Sequence, residues 1–430
     1  MKWAHGFWAV VGLSLLFRGV LLVCIGNSPT YAFVPDSVSY VEPAQALSHH
    51  LGFSTLKDGR RVPELYRTPG YPLYLTLFLT GQDAVHHKAI QWSQAVLNAF
   101  SSGLVYLAAL AFWKNRNAAL AAGIGFGLDF VNAMHCAFIL TDILFVFWVA
   151  LTLLLIIRHR FMAAGLAAAA AALVRPIGVY YPIFLALAWV LSYVDKKRGV
   201  TLKQVGIFFL AAMIPLTAWV VRNGRETHHW TFSTLQDANM YLVRTALVEM
   251  EREHISYENA LVNIQKSRQT APQAVPDGRW ATSFLVAHWQ DYARVMINDL
   301  IKLLAGNSMK VAAWALLQDD HYNPFTIPTH AEQSPLAQER ELAHRHPGLE
   351  VFLVLYLLFL AATYGLALVG FWVAGHRYGW NETLMVSSSI LYYAAITLGA
   401  DAQARYRLPM MPALFVLAAG GWERFFRRPS

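Results

Sequence analysis

Charged side chains are scarce in this sequence of 430 residues, of which only 14% are Asp, Glu, Lys or Arg. A soluble globular protein carries about 25%. Hydrophobic residues make up 56% of the chain, and its mean hydropathy is +0.38. The shortage of charge excludes an ordinary soluble domain and predicts an all-α polytopic membrane protein.

Cysteine is almost absent as well, since the chain has only Cys24 and Cys136, both inside apolar segments. Two such cysteines exclude a disulfide framework and a cysteine-based metal site. The net charge of +8 could indicate a nucleic-acid partner. The basic residues, however, stand in short clusters between apolar runs, as orientation signals do, and we therefore expect no nucleic-acid binding.

Long apolar runs fill most of the chain. A helix needs about 20 apolar residues to cross a bilayer. We predict about ten transmembrane helices, with a first helix that is retained and not cleaved as a signal peptide. They cover 7–25, 87–113, 118–136, 138–157, 161–174, 176–194, 203–221, 350–374, 382–400 and 408–423. Pro176 should separate the fifth helix from the sixth.

Every second loop between these helices is short and basic. By the positive-inside rule, this alternation predicts that both termini are cytoplasmic in an inner or plasma membrane. The long polar segments 26–86 and 223–349 then face outward. We expect residues 1–222 to form a core with the first outer loop, 223–349 an outer, mostly helical insertion, and 350–430 the last helices. The basic clusters are Lys114 with Arg116, Arg158 with Arg160, Lys196 to Arg198, Arg377, and Arg424 with Arg427 and Arg428.

Two stretches of the outer loops have helical patterns. Residues 37–50 read as a helix, in which Ser39 and Glu42 match a capping box. Apolar residues recur at helical spacing over 284–304, interrupted by charges. That pattern predicts an amphipathic helix that lies on the membrane or on the protein.

Ionisable residues gather at the outer ends of the predicted helices. Charges beside a span are costly, so they are functional candidates. Arg405 and Arg407 flank a span on the outer side, against the orientation rule, which favours phosphate binding. Adjacent histidines such as His49 and His50 point in different directions, so we predict no metal site.

Six short motifs on the same outward side resemble those of a known superfamily. PDSVSY at 35–40 and YRTPGYP at 66–72 resemble the first outer loop of GT-C glycosyltransferases. LTDILF at 140–145, VRP at 174–176, Trp219 with Arg222 and Asn223, and RYRLP at 405–409 resemble later motifs of that superfamily. The most similar branch includes protein O-mannosyltransferases and the lipid A aminoarabinose transferase. Many members have two adjacent acids where Asp36 is followed here by Ser37.

The resemblance implies an inverting enzyme that takes a sugar from a polyprenyl-phosphate carrier. An acceptor hydroxyl on a glycolipid, a glycan or a protein attacks the anomeric carbon, and a carboxylate removes its proton. Arginines stabilise the departing lipid phosphate. Beyond this donor and membrane lipid no cofactor is expected, and no clear motif indicates a divalent cation. The implied catalytic residues are Asp36 and Asp142, the implied phosphate-binding residues are Arg67, Arg175, Arg222, Arg405 and Arg407, and Tyr40, Tyr66, Asn223 and Tyr406 are further site candidates.

Simpler roles and other functions remain open from the sequence. Asp36 could cap the following helix, and Arg175 could reach toward the headgroups. The alternative function is a transporter or flippase of a lipid-linked or anionic solute, which should have internal repeats and charges at mid-bilayer. A third alternative, a noncatalytic membrane subunit, predicts no convergent polar cavity.

Overall fold

The protein is described by a computed structural model that covers residues 2–80, 84–192, 201–271, 275–323, 341–342 and 344–426. Helices dominate these ranges. Their bounds are α1 (Lys2–Ile25), α2 (Pro35–Ser48), α3 (Gly70–Leu75), α4 (His87–Trp113), α5 (Arg116–Gly127), α6 (Phe130–Met134), α7 (Asp142–Ile157), α8 (Phe161–Val174), α9 (Tyr181–Ser192), α10 (Leu202–Thr227), α11 (Leu235–Ala238), α12 (Thr245–Glu253), α13 (Tyr257–Thr270), α14 (Asp277–Ala287), α15 (Trp289–Ala305), α16 (Met309–Leu317), α17 (Pro347–Tyr378), α18 (Trp380–Thr397) and α19 (Met411–Phe426).

Several of these helices are apolar enough to cross a membrane. Within the described ranges, four helices are long and apolar enough to be membrane spans: α1, α4, α10 and α17. The number rises to six if each of two bent helix pairs is counted as one span. These pairs are α5 with the segment 130–137 and α15 with α16. Shorter apolar helices cover Asp142–Ile157, Phe161–Val174 and Pro176–Val190. The all-α prediction is confirmed, whereas these lengths do not confirm ten spans.

The core of the bundle forms around α4, which packs against α1, α5, α7 and α19. Small residues bring the helices close together. A Cβ atom on Gly370 of α17 would collide with the backbone of α19 at Leu417, and one on Gly421 of α19 would collide with Leu366. Glycines at such crossings let helix backbones touch, which is how helices associate without a hydrophobic driving force in lipid.

Two small hairpins and short helices make up the remainder. In the first outer loop, β1 (Ser54–Lys57) pairs antiparallel with β2 (Arg60–Pro63), with Ser54 opposite Pro63. A second pair, β3 (Leu79–Thr80) with β4 (Ala84–Val85), precedes α4. Helices α11 to α16 lie in the segment 223–349, which keeps the name outer insertion from its predicted side, and a π-helical turn, Asn239–Arg244, joins α11 to α12. A 3₁₀ segment, Ala404–Met410, leads into α19.

The predicted span 87–113 coincides with α4, and the predicted break at Pro176 is confirmed by the 3₁₀ turn Pro176–Gly178. The continuous helix predicted over 118–136 is wrong, because the chain bends by 51° between α5 and the segment that follows. Asp129 explains the break. Its Oδ1 accepts hydrogen bonds from the backbone N–H groups of Val131 and Asn132, so Asp129 begins a new helix as its N-cap.

Two details of the outer loops also differ from prediction. The capping box of Ser39 and Glu42 is wrong: α2 begins at Pro35, and Ser37 accepts from the Val34 N–H. Glu42 instead accepts a hydrogen bond from Thr55. The single helix over 284–304 is two helices that meet at His288. The basic residues 196–198, 427 and 428 lie outside the described residues.

Candidate active site

A cavity of about 1450 Å³ lies between α2, the start of α7, the turn after α8, the outer insertion and the segment before α19. Eight of the eleven predicted site residues line it. These eight are Asp36, Tyr40, Tyr66, Arg67, Asp142, Arg175, Arg405 and Tyr406. Motifs that are up to 370 positions apart in the sequence therefore meet at one place, which we call the cavity floor.

Asp36 reaches the cavity because of how α2 begins. Pro35 occupies the first helical turn, where its missing N–H costs nothing, and an acidic residue there is favoured by the helix dipole. Ser37 donates to the carbonyl of Ile139 at 3.0 Å, which ties α2 to the segment before α7. The Asp36 side chain remains 44% exposed, so one carboxylate can meet a molecule in the cavity.

Arg67 is held against α2 by all parts of its guanidinium. Its Nη2 donates to Asp36 at 2.8 Å, its Nε to Ser39 at 2.9 Å and its Nη1 to the hydroxyl of Tyr40 at 2.8 Å. Those three partners are spaced i, i+3 and i+4, so they share one face of the helix. The group also lies over the Tyr40 ring at 4.3 Å and is only 7% exposed. Arg67 thus fixes the direction of Asp36.

The side chain of Glu64 fixes the backbone at Arg67. The Glu64 carboxylate accepts hydrogen bonds from the backbone N–H groups of Tyr66 and Arg67, the latter at 2.9 Å. The guanidinium of Arg67 also lies 4.9 Å from the centre of the Tyr66 ring. Burial raises the pKa of the Tyr66 hydroxyl, and the negative charges of Asp36 and Glu64 raise it further, although Arg67 opposes them. Tyr66 therefore stays a neutral hydrogen-bonding group near neutral pH.

Asp142 and Arg175 form a second ion pair on the floor, and both are buried or nearly so. Asp142 opens α7, whereas Arg175 follows α8 in extended backbone, as a residue before proline prefers. Burial lowers the pKa of Arg175, but Asp142, Tyr406 and Tyr40 together raise it by more, so the net pKa is raised. The pair remains charged on both sides.

Arg405 is the third cation of the floor, and its contacts with other polar groups are weaker than those of Arg67 and Arg175. Its Nη2 lies 3.8 Å from Asp36, and its Nε has no hydrogen-bond partner although it is buried. Tyr406 separates it from Arg175, with each guanidinium 5.2 Å from the ring centre. Burial lowers the pKa of Arg405, but Tyr406, Asp142 and Asp36 raise it by more. Three guanidinium groups thus face two carboxylates, which leaves one positive charge in excess.

Three predicted site residues do not line the cavity. Arg222 donates to the carbonyl of Phe53 at 2.6 Å and to that of Glu64 at 3.2 Å, and Asn223 donates to the carbonyl of Thr231 at 2.9 Å. Both hold the first outer loop and the chain after α10 in place.

Arg407 is the third, and it is fully buried. It donates to the carbonyls of Leu303, Leu304 and Gly306 and to the hydroxyl of Tyr356, at 2.9–3.0 Å. The Nε of Arg407 is also buried without a partner, but neither Arg222 nor Arg407 lines the cavity, so this geometry gives no support to phosphate binding by either.

The far wall of the cavity was not predicted. Most of it belongs to the outer insertion. It carries paired charges, among them Lys302 of α15 with Asp401, which precedes the segment Ala404–Met410, at 3.1 Å. Four apolar residues at spacings of three and four, Met240, Val243, Leu247 and Met250, also line it. That helical spacing is visible in the sequence and indicates an apolar helix face, but it does not indicate that this face meets the cavity.

No group of three or more His, Cys, Asp or Glu side chains suited to a metal ion occurs among the described residues. The floor offers two carboxylates, each already paired with an arginine. The arrangement can bind an anion beside a carboxylate that is open to the cavity. Both groups are what a displacement with an anionic leaving group requires.

Comparison with known proteins identifies the fold. An oligosaccharyltransferase from Archaeoglobus fulgidus, tethered to an acceptor peptide with the NVT sequon, matches with a TM-score of 0.55 and 11% identity, covering 99% of this chain and 50% of that chain. The archaeal oligosaccharyltransferase AglB from the same organism, in complex with an inhibitory peptide and a dolichol-phosphate, matches with a TM-score of 0.52 and 12% identity over 98% and 50%. The chain has the GT-C fold.

A third structure, the apo form of the Archaeoglobus fulgidus enzyme, matches with a TM-score of 0.51 and 11% identity over 96% of this chain and 50% of that chain. The chain spans about half the length of these neighbours, and at such identities the likeness shows the fold alone. No protein-family model and no curated protein matches the sequence. The expected fold is confirmed, whereas the branch of the superfamily stays a prediction.

Proposed function

We propose that this protein is an inverting membrane glycosyltransferase that moves a sugar from a polyprenyl-phosphate carrier to an acceptor hydroxyl. One observation supports this most. The cavity floor combines a carboxylate that is open to the cavity, Asp36, with a guanidinium that lines the cavity, is 16% exposed and has an Nε without a hydrogen-bond partner, Arg405. A general base beside an anion site matches this reaction and has no evident use in a purely structural subunit.

The reaction is a single displacement. The acceptor oxygen forms a bond to the anomeric carbon while the bond from that carbon to the phosphate oxygen breaks, and the configuration inverts. Asp36 takes the proton of the acceptor hydroxyl. The leaving group departs as polyprenyl phosphate, which is a stable anion and needs cationic stabilisation more than a proton.

Arg405 is the best candidate for the donor phosphate, with Arg175 next to it across the ring of Tyr406. A phosphate there would bind the terminal nitrogens of Arg405, of which Nη2 lies 3.8 Å from Asp36, and neutralise the excess positive charge of the floor. Arg67 has a different role in this proposal. Each of its three nitrogens already donates one hydrogen bond to α2, so Arg67 orients Asp36 in this proposal and does not bind the phosphate directly. Asp142 keeps Arg175 in position.

The structural neighbours support a lipid-linked donor and a separate acceptor. One of them binds dolichol-phosphate, a lipid phosphate of the proposed class, and another is tethered to an acceptor peptide. This chain covers only half of their length, so their acceptor is not transferred to it. The acceptor to be tested is a glycolipid, a glycan or a protein. Membership of the branch that includes protein O-mannosyltransferases and the lipid A aminoarabinose transferase is also to be tested.

The proposed topology has about ten spans, cytoplasmic termini in an inner or plasma membrane, and the cavity on the outer side. After Cys24 is replaced by alanine, cysteine labelling from outside intact cells tests this topology. A cysteine at 270, in the outer insertion, should react, and one at 116, in a basic loop, should not. Reaction at 116 alone would reverse the orientation.

Lipid-phosphate binding in nanodiscs tests the proposed site. We expect Arg405→Ala to weaken binding of a short-chain polyprenyl phosphate by about 10-fold to 100-fold, because a charge-assisted hydrogen bond contributes about 1.5–3 kcal/mol. Arg60→Ala removes an equal charge from an exposed position of the first outer loop, outside the cavity, and this variant should bind like the parent. Equal losses for both variants would place the phosphate elsewhere.

A further inference from the structure

Helix α15 has two different faces. Val295, Asp299 and Leu303 are buried against the protein. On the opposite face Ile297 and Ile301 are 59% and 60% exposed. At 100° per residue these two and Leu304 form one narrow apolar stripe, which we call the α15 stripe. An exposed apolar stripe on an outer helix needs a partner that covers it.

The outward face changes character along the helix. Arg294 lies on the same side as Ile301, two turns nearer the N-terminus, where it is exposed and pairs with Asp291 at 3.0 Å. On this face the helix therefore changes from the charge of Arg294 to the exposed apolar side chains of Ile301 and Leu304. Lys302 is exposed about 100° around the helix from Ile301, where it pairs with Asp401. Such a gradient is expected of a helix whose C-terminal end enters the apolar part of a bilayer.

The position of the C-terminal end supports the same conclusion. The hydroxyl of Tyr364 donates to the carbonyl of Leu304 at 2.9 Å. Tyr364 lies about 25 Å along α17 from its first residue, at 1.5 Å per residue. Because α17 is long and apolar enough to cross the membrane, the end of α15 lies beside the middle part of a candidate span. Neighbouring exposed residues of α17, such as Leu358, face outward as well.

The same end of α15 holds the segment that carries Arg405. Arg407 donates to three carbonyls at the end of α15, where a cation is favoured by the helix dipole. Lys302 of α15 adds an ion pair to Asp401 on the other side of Arg405. Movement of α15 would therefore move the backbone of Arg405.

We propose that α15 is inserted into the leaflet on the cavity side, with the α15 stripe against lipid acyl chains, and that this contact fixes the segment Ala404–Met410. The partner is the bilayer itself, and no soluble protein is needed. The proposal requires only that the chain resides in a membrane, so its test does not depend on whether the protein transfers a sugar.

Spin labelling in nanodiscs tests the insertion. With Cys24 replaced by alanine and Cys136 buried, a nitroxide is placed at 301 or, as the matched control on the same face, at 294. We expect the label at 301 to collide mainly with oxygen, which partitions into lipid, and the label at 294 mainly with a water-soluble nickel complex. A label at 301 that meets the nickel complex as often as at 294, or meets neither reagent, overturns the proposal.

Hydrogen exchange tests the coupling to Arg405. We expect Ile301→Glu to speed exchange of the amides in 404–410 by about tenfold, because the charge pulls α15 out of the hydrocarbon. Val262→Glu, at an exposed valine of α13, should leave these amides unchanged. Equal exchange in both variants overturns the coupling. Should Ile301→Glu not fold, the labels at 294 and 301 still decide the insertion.

Discussion

Arg405 and Arg407 are two residues apart and have opposite surroundings. Arg405 faces the cavity, lies 3.8 Å from Asp36 and keeps an unbonded Nε. Arg407 faces away, and its two terminal nitrogens donate to three backbone carbonyls and to Tyr356. A 3₁₀ turn rotates successive residues by about 120°, so alternate side chains diverge. The Nε of Arg407 is unbonded as well, so an unused donor alone does not make a ligand site; the guanidinium must also line a cavity, as that of Arg405 does.

A second buried arginine follows the pattern of Arg407. Arg18 in α1 is fully buried and donates to Asn98 of α4, to Ser14 and to the carbonyl of Gly127. Asn98 continues the network to Asn132 at 2.8 Å. This cluster is polar and buried, but it lines neither the cavity above the floor nor the smaller pocket at residues 113–117. A charged residue within an apolar bundle is therefore a candidate functional residue, and it supports a binding site only if it also lines a cavity.

The largest expected effect concerns the open carboxylate of the floor. Asp36→Asn is nearly isosteric but far less basic, so transfer should fall by roughly 100-fold or more. Expression and folding should survive. The matched control is Asp58→Asn, which removes an acid from the turn of the β1–β2 hairpin in the same loop, where asparagine tolerates the positive φ. Turnover of purified Asp36→Asn near that of the control would remove Asp36 from the mechanism.

A lysine exchange sharpens the comparison of the two arginines. Arg405→Lys should weaken donor binding by about tenfold, since lysine lacks the planar group that bonds two phosphate oxygens. Arg407→Lys should bind donor nearly normally but lose about 1–3 kcal/mol of stability, because buried carbonyls lose donors. Donor titration and thermal unfolding in the same detergent measure both. The reverse outcome, weak binding for Arg407→Lys and lost stability for Arg405→Lys, would exchange their roles.

The smallest effect concerns the alignment of Asp36. Tyr40→Phe removes the hydroxyl that accepts from Arg67 and leaves the ring in place. We expect kcat to fall roughly threefold to tenfold with an unchanged KM for the donor, as when an orienting contact is lost. Steady-state kinetics with varied donor provide the test. A rise in KM without a change in kcat would mean that Tyr40 binds the donor directly.

The sequence predicts the cavity floor better than the rest of the molecule. Asp36, Asp142 and Arg175 stand at helix starts or junctions, and such ends meet at one face of a bundle, so their convergence could be anticipated. The difference between Arg405 and Arg407 could not, because it depends on the 3₁₀ rotation of one turn.

Two other features, the bend after α5 and the far wall of the cavity, could not be predicted from the sequence, each for a different reason. The bend after α5 depends on Asp129, whose side chain competes for backbone N–H groups inside an apolar run. The far wall of the cavity depends on how the outer insertion folds back over the floor, and its residues carry no motif. Local patterns find helix ends, whereas tertiary packing decides which ends share a cavity.

The most direct test uses a donor labelled with ¹⁴C in the sugar and ³²P in the phosphate, supplied to the purified protein in proteoliposomes with candidate acceptors. We expect the two labels to separate, with ¹⁴C on the acceptor and ³²P retained in polyprenyl phosphate, and we expect Asp36→Asn to abolish the separation. If the labels stay together while the intact donor crosses the bilayer, the protein is a transporter and the proposed reaction is wrong.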